Sequence, residues 1–179
     1  MFNNKNNPFF QCIIIVPQCP SDMQWVDTPW ANGNYNLSRV PISKPMTAAV
    51  ELLDSIINTY SVNPDRQYVM GLSMGGFGTW DLLMRYPERF AGAIPICGSA
   101  DMTKGKTLVN IPIWTFHDTT DTAVPVTGTQ AIVKAIQRAG GTLIKYTETS
   151  QYGHLVWTPA VATDGLFDWL YSQRKDKTE

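Results

Sequence analysis

Short apolar runs, each bounded by proline, glycine or polar residues, alternate along this chain with segments whose apolar residues recur every three or four positions. A buried strand of a parallel sheet reads as a short continuous apolar run, whereas a covering helix carries a stripe at 3.6 spacing. Five runs read as strands: Cys12 to Val16, Tyr68 to Leu72, Gly92 to Cys97, Ile111 to Phe116 and Leu143 to Thr147. Met46, Ala49, Val50, Leu53, Ile57 and Tyr60 form one stripe, predicting a helix over 44–60, and Asn63-Pro64-Asp65 turns the chain into the next strand. A second helix is expected from Gly76 to Tyr86, stopped by Pro87, and a third from Gly128 to Ala139, stopped by Gly140-Gly141. The last is expected to start at Thr158-Pro159, a cap residue with proline at the first helical position, and to carry Leu166, Phe167, Leu170 and Tyr171 on one face. The expected fold class is therefore α/β, a mostly parallel sheet with helices on both faces. With 179 residues and neither repeat nor linker, the reading is a single domain over 1–179, with an irregular Asn-rich segment over 1–10.

Between the second run and its helix the chain reads Gly71-Leu72-Ser73-Met74-Gly75-Gly76, a G-x-S-x-G motif at a strand-to-helix turn. Such a turn holds a serine hydroxyl clear of a strand's carboxyl end, and glycines on either side remove Cβ atoms that would clash with the neighbouring strand and helix. The first amides of a helix have no intrahelical acceptor, so the Met74 N–H is the expected oxyanion-hole donor.

A serine hydroxyl needs a base at neutral pH, and the base needs a group that fixes its tautomer. Of the two histidines, His154 follows the last strand in Gln151-Tyr152-Gly153-His154-Leu155, where it can reach back over the sheet's carboxyl edge, and it is read as the base. His117 ends a strand and is read as a hydrogen-bonded structural residue. The loop after 111–116 offers two acids. Asp121, farther out and just before Val124-Pro125, is preferred as the orienting carboxylate, Asp118 is expected to cap turn amides, and Asp101 ranks third. Trp25, Trp30 and Trp157 are expected to bind substrate, because aromatic walls suit a flat acyl or aryl group, and Gln18 is counted with them.

These stretches resemble the α/β-hydrolase superfamily, within it the carboxylesterase group related to phospholipase/carboxylesterases, feruloyl esterases and polyhydroxybutyrate depolymerase-like enzymes. The likeness is carried by Val16-Pro17-Gln18-Cys19-Pro20 with Trp25, by Gly71 to Gly78, by Arg85-Tyr86-Pro87-Glu88-Arg89-Phe90, by Asp121 to Val126, and by Tyr152-Gly153-His154 with Trp157. It implies a Ser73, His154, Asp121 catalytic triad and an oxyanion hole half built from the Met74 amide. It also implies a serine carboxylic ester hydrolase that acts on short-chain or aromatic, feruloyl-like esters through an acyl-enzyme. Two competing readings are a degenerate, non-catalytic scaffold of the same fold and a serine peptidase of the prolyl oligopeptidase type. Nucleophile and electrostatics built from protein groups call for no metal and no organic cofactor.

The chain departs from that family at its start. The early strands and the His-Gly loop that supply a second oxyanion donor have no counterpart before Cys12, so an N-terminally shortened α/β-hydrolase fold is expected. Cys12 to Val16 then stands for the family's fourth strand, with a gap beside the Ser73 strand. The sheet closes that gap, another chain fills it, or the sequence is part of a longer protein. An unpaired edge invites a second copy, and a homo-oligomer covering it is the expectation.

Composition narrows the partners. Lys and Arg number 14 against 15 Asp and Glu, with no basic run longer than Arg174-Lys175, which gives no electrostatic basis for nucleic-acid or membrane-surface binding. No apolar run, Ile13 to Pro17 included, approaches the ~20 residues of a membrane span. Three cysteines without C-x-x-C spacing argue against a disulfide framework or a zinc site. Met1 to Gln11 has no apolar signal core, so no signal peptide is read in this chain, and the compartment stays open between cytoplasm and secretion.

Overall fold

The computed structural model describes residues 12–175; the irregular segment expected over 1–10 lies outside them. Four strands, β1 (Tyr68–Leu72), β2 (Gly92–Ile96), β3 (Ile113–Asp118) and β4 (Ile144–Thr149), form one sheet in chain order, each pair parallel. Parallel neighbours need crossovers. They are α2 (Met74–Arg85), a 3-10 helix over Met102–Leu108, and α3 (Val126–Arg138); α1 (Lys44–Thr59) precedes the sheet, while α4 (Trp157–Val161) and α5 (Leu166–Ser172) follow it.

The pleat sends successive side chains to opposite faces, and a core forms on each. On one face Ala93 and Ile113 pack with Phe77, Trp80 and Leu83 of α2, Leu108, and Ile132 and Ile136 of α3. On the other, Ile94, Ile96 and Phe116 pack with Val156, Ala160, Leu166 and Leu170. Helices thus cover both faces, and β2 is buried along its whole length. The register sets Leu72 beside Ile96, Ile96 beside Phe116 and Phe116 beside Thr147. β1 and β2 end at this level and β3 and β4 run two residues beyond it, so all four carboxyl ends lie along one edge, the edge where open α/β sheets meet their ligands.

Three expectations are corrected. Cys12 to Val16 is not a strand: it joins no ladder among the described residues, and Ile13, Ile14 and Val16 are 53%, 65% and 84% exposed. An apolar run becomes a strand only where a partner meets it, and here β1 is the sheet's outer edge among the described residues, with Met70 and Leu72 exposed. The third strand starts at Ile113 rather than Ile111, because the Ile111 N–H closes back onto Leu108 O and Pro112 has no N–H to give. The last helix is two helices: α4 begins at Trp157, and Gly165, at φ 71°, breaks the path before α5.

Candidate active site

Ser73 joins β1 to α2 at φ 53° and ψ −118°, a left-handed backbone that a non-glycine residue rarely adopts. The fold tolerates it because two glycines give room. A Cβ on Gly71 would be driven into the Gly75 carbonyl, and one on Gly76 into the Ile96 carbonyl. Gly75, the second glycine of the motif, faces open space, so the steric demand falls on Gly71 and Gly76 rather than on both motif glycines. The first bond of α2 runs from Phe77 N–H to Ser73 O at 3.0 Å, leaving the Met74 amide ahead of it without a helical acceptor beside the Ser73 hydroxyl.

Ser73 Oγ lies 2.8 Å from His154 Nε2, and His154 Nδ1 lies 2.8 Å from Asp121 Oδ2. These three side chains, read from separate loops, meet in one hydrogen-bonded line. The Asp121 side chain is fully buried, while a quarter of the His154 side chain remains open to solvent. The Asp121 Oδ1 atom accepts from the Ala123 and Val124 amides, both at 2.9 Å, which ties the carboxylate to its own turn. Oriented this way, the imidazole carries its proton on Nδ1 and presents Nε2 as an acceptor to the serine hydroxyl.

Asp118, the last residue of β3 and three residues before Asp121, holds the turns. It accepts from the Thr120 amide and hydroxyl and the Thr149 hydroxyl, and from the Gln151 and Tyr152 amides just before His154. Burial alone would raise its pKa, but the hydroxyls of Thr120 and Thr149 and the amides of Tyr152 and Thr120 outweigh it and hold the carboxyl well below the usual range. Asp101 lies away from the line, accepting from Leu37 and Thr103.

Two further groups stand at this edge without a catalytic role in the sequence reading. Cys97 follows β2 at φ 40°, is fully buried, and its thiol is pushed up to about 12, mainly by burial. Its sulfur, an Asp121 oxygen and a His154 nitrogen lie within 4.8 Å of one another, a donor set a thiophilic cation could use. Asp121 is already bonded to its turn and to His154, however, and a raised thiol is a poor ligand. His117 is the second group, with Nε2 3.3 Å from Asp121 Oδ2. The signal for both was position alone, since each ends a strand at the ligand-binding edge.

The expected substrate-binding residues divide. The Trp157 ring stands edge-on to His154 at 5.3 Å between centroids, joining the site. Trp25 instead packs against the α2 face of the core, over Gly78. Trp30 is half exposed on a groove of about 320 Å³ lined with Gln24, Asp27, Thr28, Pro29 and Ala31, which contains neither Ser73 nor His154. The Gln18 amide donates to the carbonyl of its neighbour Cys19. Tyr152 and Leu155, missed in the sequence, flank His154 and are exposed.

Comparison with known proteins agrees with this architecture. The profile of the prolyl oligopeptidase family (Peptidase_S9) matches residues 43–115. Poly(3-hydroxyalkanoate) depolymerase C of Paucimonas lemoignei is 44% identical over 48 residues, 27% of this chain and 12% of the depolymerase. A solved thermostable esterase superposes with a TM-score of 0.78 at 33% identity over 88% of this chain, and this chain spans 43% of that esterase. A point variant of SOBER1 from Arabidopsis thaliana has a TM-score of 0.58 at 21% identity, over 83% of this chain and 72% of its own, a likeness of fold. A parallel sheet in chain order, a strained serine at its first strand-to-helix turn and these relatives converge: the chain has the α/β-hydrolase fold, and within that superfamily it is similar to carboxylesterase-like proteins.

Proposed function

We propose that the chain is a serine carboxylic ester hydrolase working through an acyl-enzyme, with Ser73 as nucleophile, His154 as general base and acid, and Asp121 as the carboxylate that orients it. The observation carrying this reading is the unbroken line Ser73 Oγ, His154 Nε2, His154 Nδ1, Asp121 Oδ2, with both contacts at 2.8 Å. In the first half-reaction Ser73 Oγ bonds to the ester carbonyl carbon while His154 Nε2 takes the hydroxyl proton. The tetrahedral oxyanion develops toward the Met74 N–H at the start of α2. Its collapse breaks the carbon–oxygen bond to the alcohol, which leaves with the proton from His154. Water repeats the sequence on the acyl-enzyme, frees the acid and restores Ser73.

For the substrate we propose short-chain or aromatic, feruloyl-like esters. His154 is partly open to solvent, the Trp157 ring stands against it, and Tyr152 and Leu155 nearby in the chain are exposed. The 3-10 helix over Met102–Leu108 packs chiefly against α3. The test is turnover of para-nitrophenyl acetate and butyrate by wild type and Ser73→Ala. Hydrolysis that the substitution abolishes is the expected result; equal rates would end the reading. The match over 43–115 to a peptidase family favours one competitor, a serine peptidase. An aminoacyl para-nitroanilide cleaved faster than the matching ester would select that competitor.

A further inference from the structure

We propose that His117 is a positioning residue for Asp121, fixing the carboxylate that orients His154; the inference rests on the hydrolase reading above. The ring is fully buried at the end of β3. Its Nε2 lies 3.0 Å from the Val124 carbonyl oxygen and 3.3 Å from Asp121 Oδ2, and its Nδ1 lies 2.7 Å from Thr129 Oγ1. A backbone carbonyl can only accept, and so can an ionised carboxylate. Nε2 therefore carries a proton whatever the charge of the ring. The Val124 carbonyl takes the larger share of that N–H, and the Asp121 oxygen the smaller.

His117 thereby holds the acid in two ways. Directly, it adds a fourth donor to a carboxylate already bonded to the Ala123 and Val124 amides and to His154, which fills the roughly four lone-pair sites a carboxylate offers. Indirectly, it pins Val124, the residue whose own amide holds Asp121 Oδ1. The far side of the ring is braced by Thr129 of α3, whose hydroxyl also lies 2.7 Å from Gly98 O in the loop after β2. Asp121 is thus held from the sheet floor as well as from its own loop. The ionisable groups near the ring are Asp121, His154 and Glu148, its register partner on β4.

The test compares His117→Gln with His117→Asn. Both are neutral amides that differ in reach: the glutamine nitrogen falls near the position of Nε2, and the asparagine nitrogen near that of Nδ1. With para-nitrophenyl butyrate, His117→Gln is expected within about fivefold of wild-type kcat, and His117→Asn about 10²-fold slower with KM little changed, as befits a misplaced orienting group. Equal kcat values for the two amides, or a change confined to KM, would overturn the proposal. A second readout needs no turnover, namely the downfield proton resonance of the His154 Nδ1–H bonded to Asp121. It should persist in His117→Gln and broaden or shift upfield in His117→Asn, and an identical signal in both would count against positioning. An inactive wild type would sink the hydrolase reading while leaving this second measurement to decide the role of His117.

Discussion

Replacing Asp121 by asparagine changes one atom in the acid, and the structure says which bond must fail. The carboxylate has two oxygens; one accepts from the Ala123 and Val124 amides, and the other from His154 and, at the longer distance of 3.3 Å, from His117. Asparagine offers a single oxygen and two N–H donors, and the two backbone amides claim the oxygen because they cannot rotate away. The NH₂ group is then aimed at His154 Nδ1, 2.8 Å away, where two donors would collide. The ring escapes by taking the other tautomer, with Nδ1 accepting and the proton on Nε2. That proton faces the Ser73 hydroxyl, also at 2.8 Å, and a protonated Nε2 cannot take another from it. A wrong tautomer of this kind lowers kcat by about 10⁴, or roughly 5.5 kcal/mol at about 1.36 kcal/mol per factor of ten. The assay is kcat for para-nitrophenyl butyrate with the melting temperature measured in parallel. A variant within tenfold of wild type, folded equally well, would refute the tautomer argument.

The two glycines after Ser73 should separate cleanly on substitution. Gly76→Ala drives a methyl into the Ile96 carbonyl and is expected to destabilise by about 2 kcal/mol or more, whereas Gly75→Ala meets open space within a helix and should be neutral or stabilise by up to ~1 kcal/mol. Urea midpoints that rank the two the other way would contradict the steric reading. Asp118 should contribute to acid stability: its folded pKa lies below the unfolded value of about 3.9, so its contribution is full above that value and is lost as pH falls from there through the lower folded pKa. Asp118→Asn should therefore be clearly less stable than wild type at pH 7, with a gap that narrows below pH 4; a gap constant with pH would reject this. The exposed edge of β1, with Met70 and Leu72 beside it, invites pairing with a second copy. Light scattering should then give twice the chain mass, reduced to a monomer by Met70→Lys, and a wild-type monomer would exclude the arrangement.

The parts of the fold legible in the sequence were those set by local pattern. β1, β2, β4 and the first three helices lie within a few residues of where periodicity put them, because their apolar residues pack on the faces that the pattern marks. Cys12 to Val16 failed because an apolar run does not say whether a neighbouring strand exists. The break at Gly165 was hidden because Leu166 and Leu170 keep their face while the backbone ahead of them turns. In the site, the meeting of Ser73, His154 and Asp121 was legible because each stands in a loop after a parallel strand, and those loops open at one edge. The roles of Trp25 and Trp30 were not, since the stretch before α1 has no period to tell which face a ring takes. The bond network of His117 depends on distances among β3, α3 and a loop, which no spacing in the chain encodes.

The central claim is that Ser73 is an activated nucleophile. Incubation with a fluorophosphonate, followed by digestion and peptide mass spectrometry, reads this directly without a guess at the natural ester. The expected result is a single phosphonyl adduct on the peptide containing Ser73, absent from Ser73→Ala and strongly slowed in His154→Ala. A folded wild-type protein that takes up no label, or takes it up elsewhere, would contradict the claim.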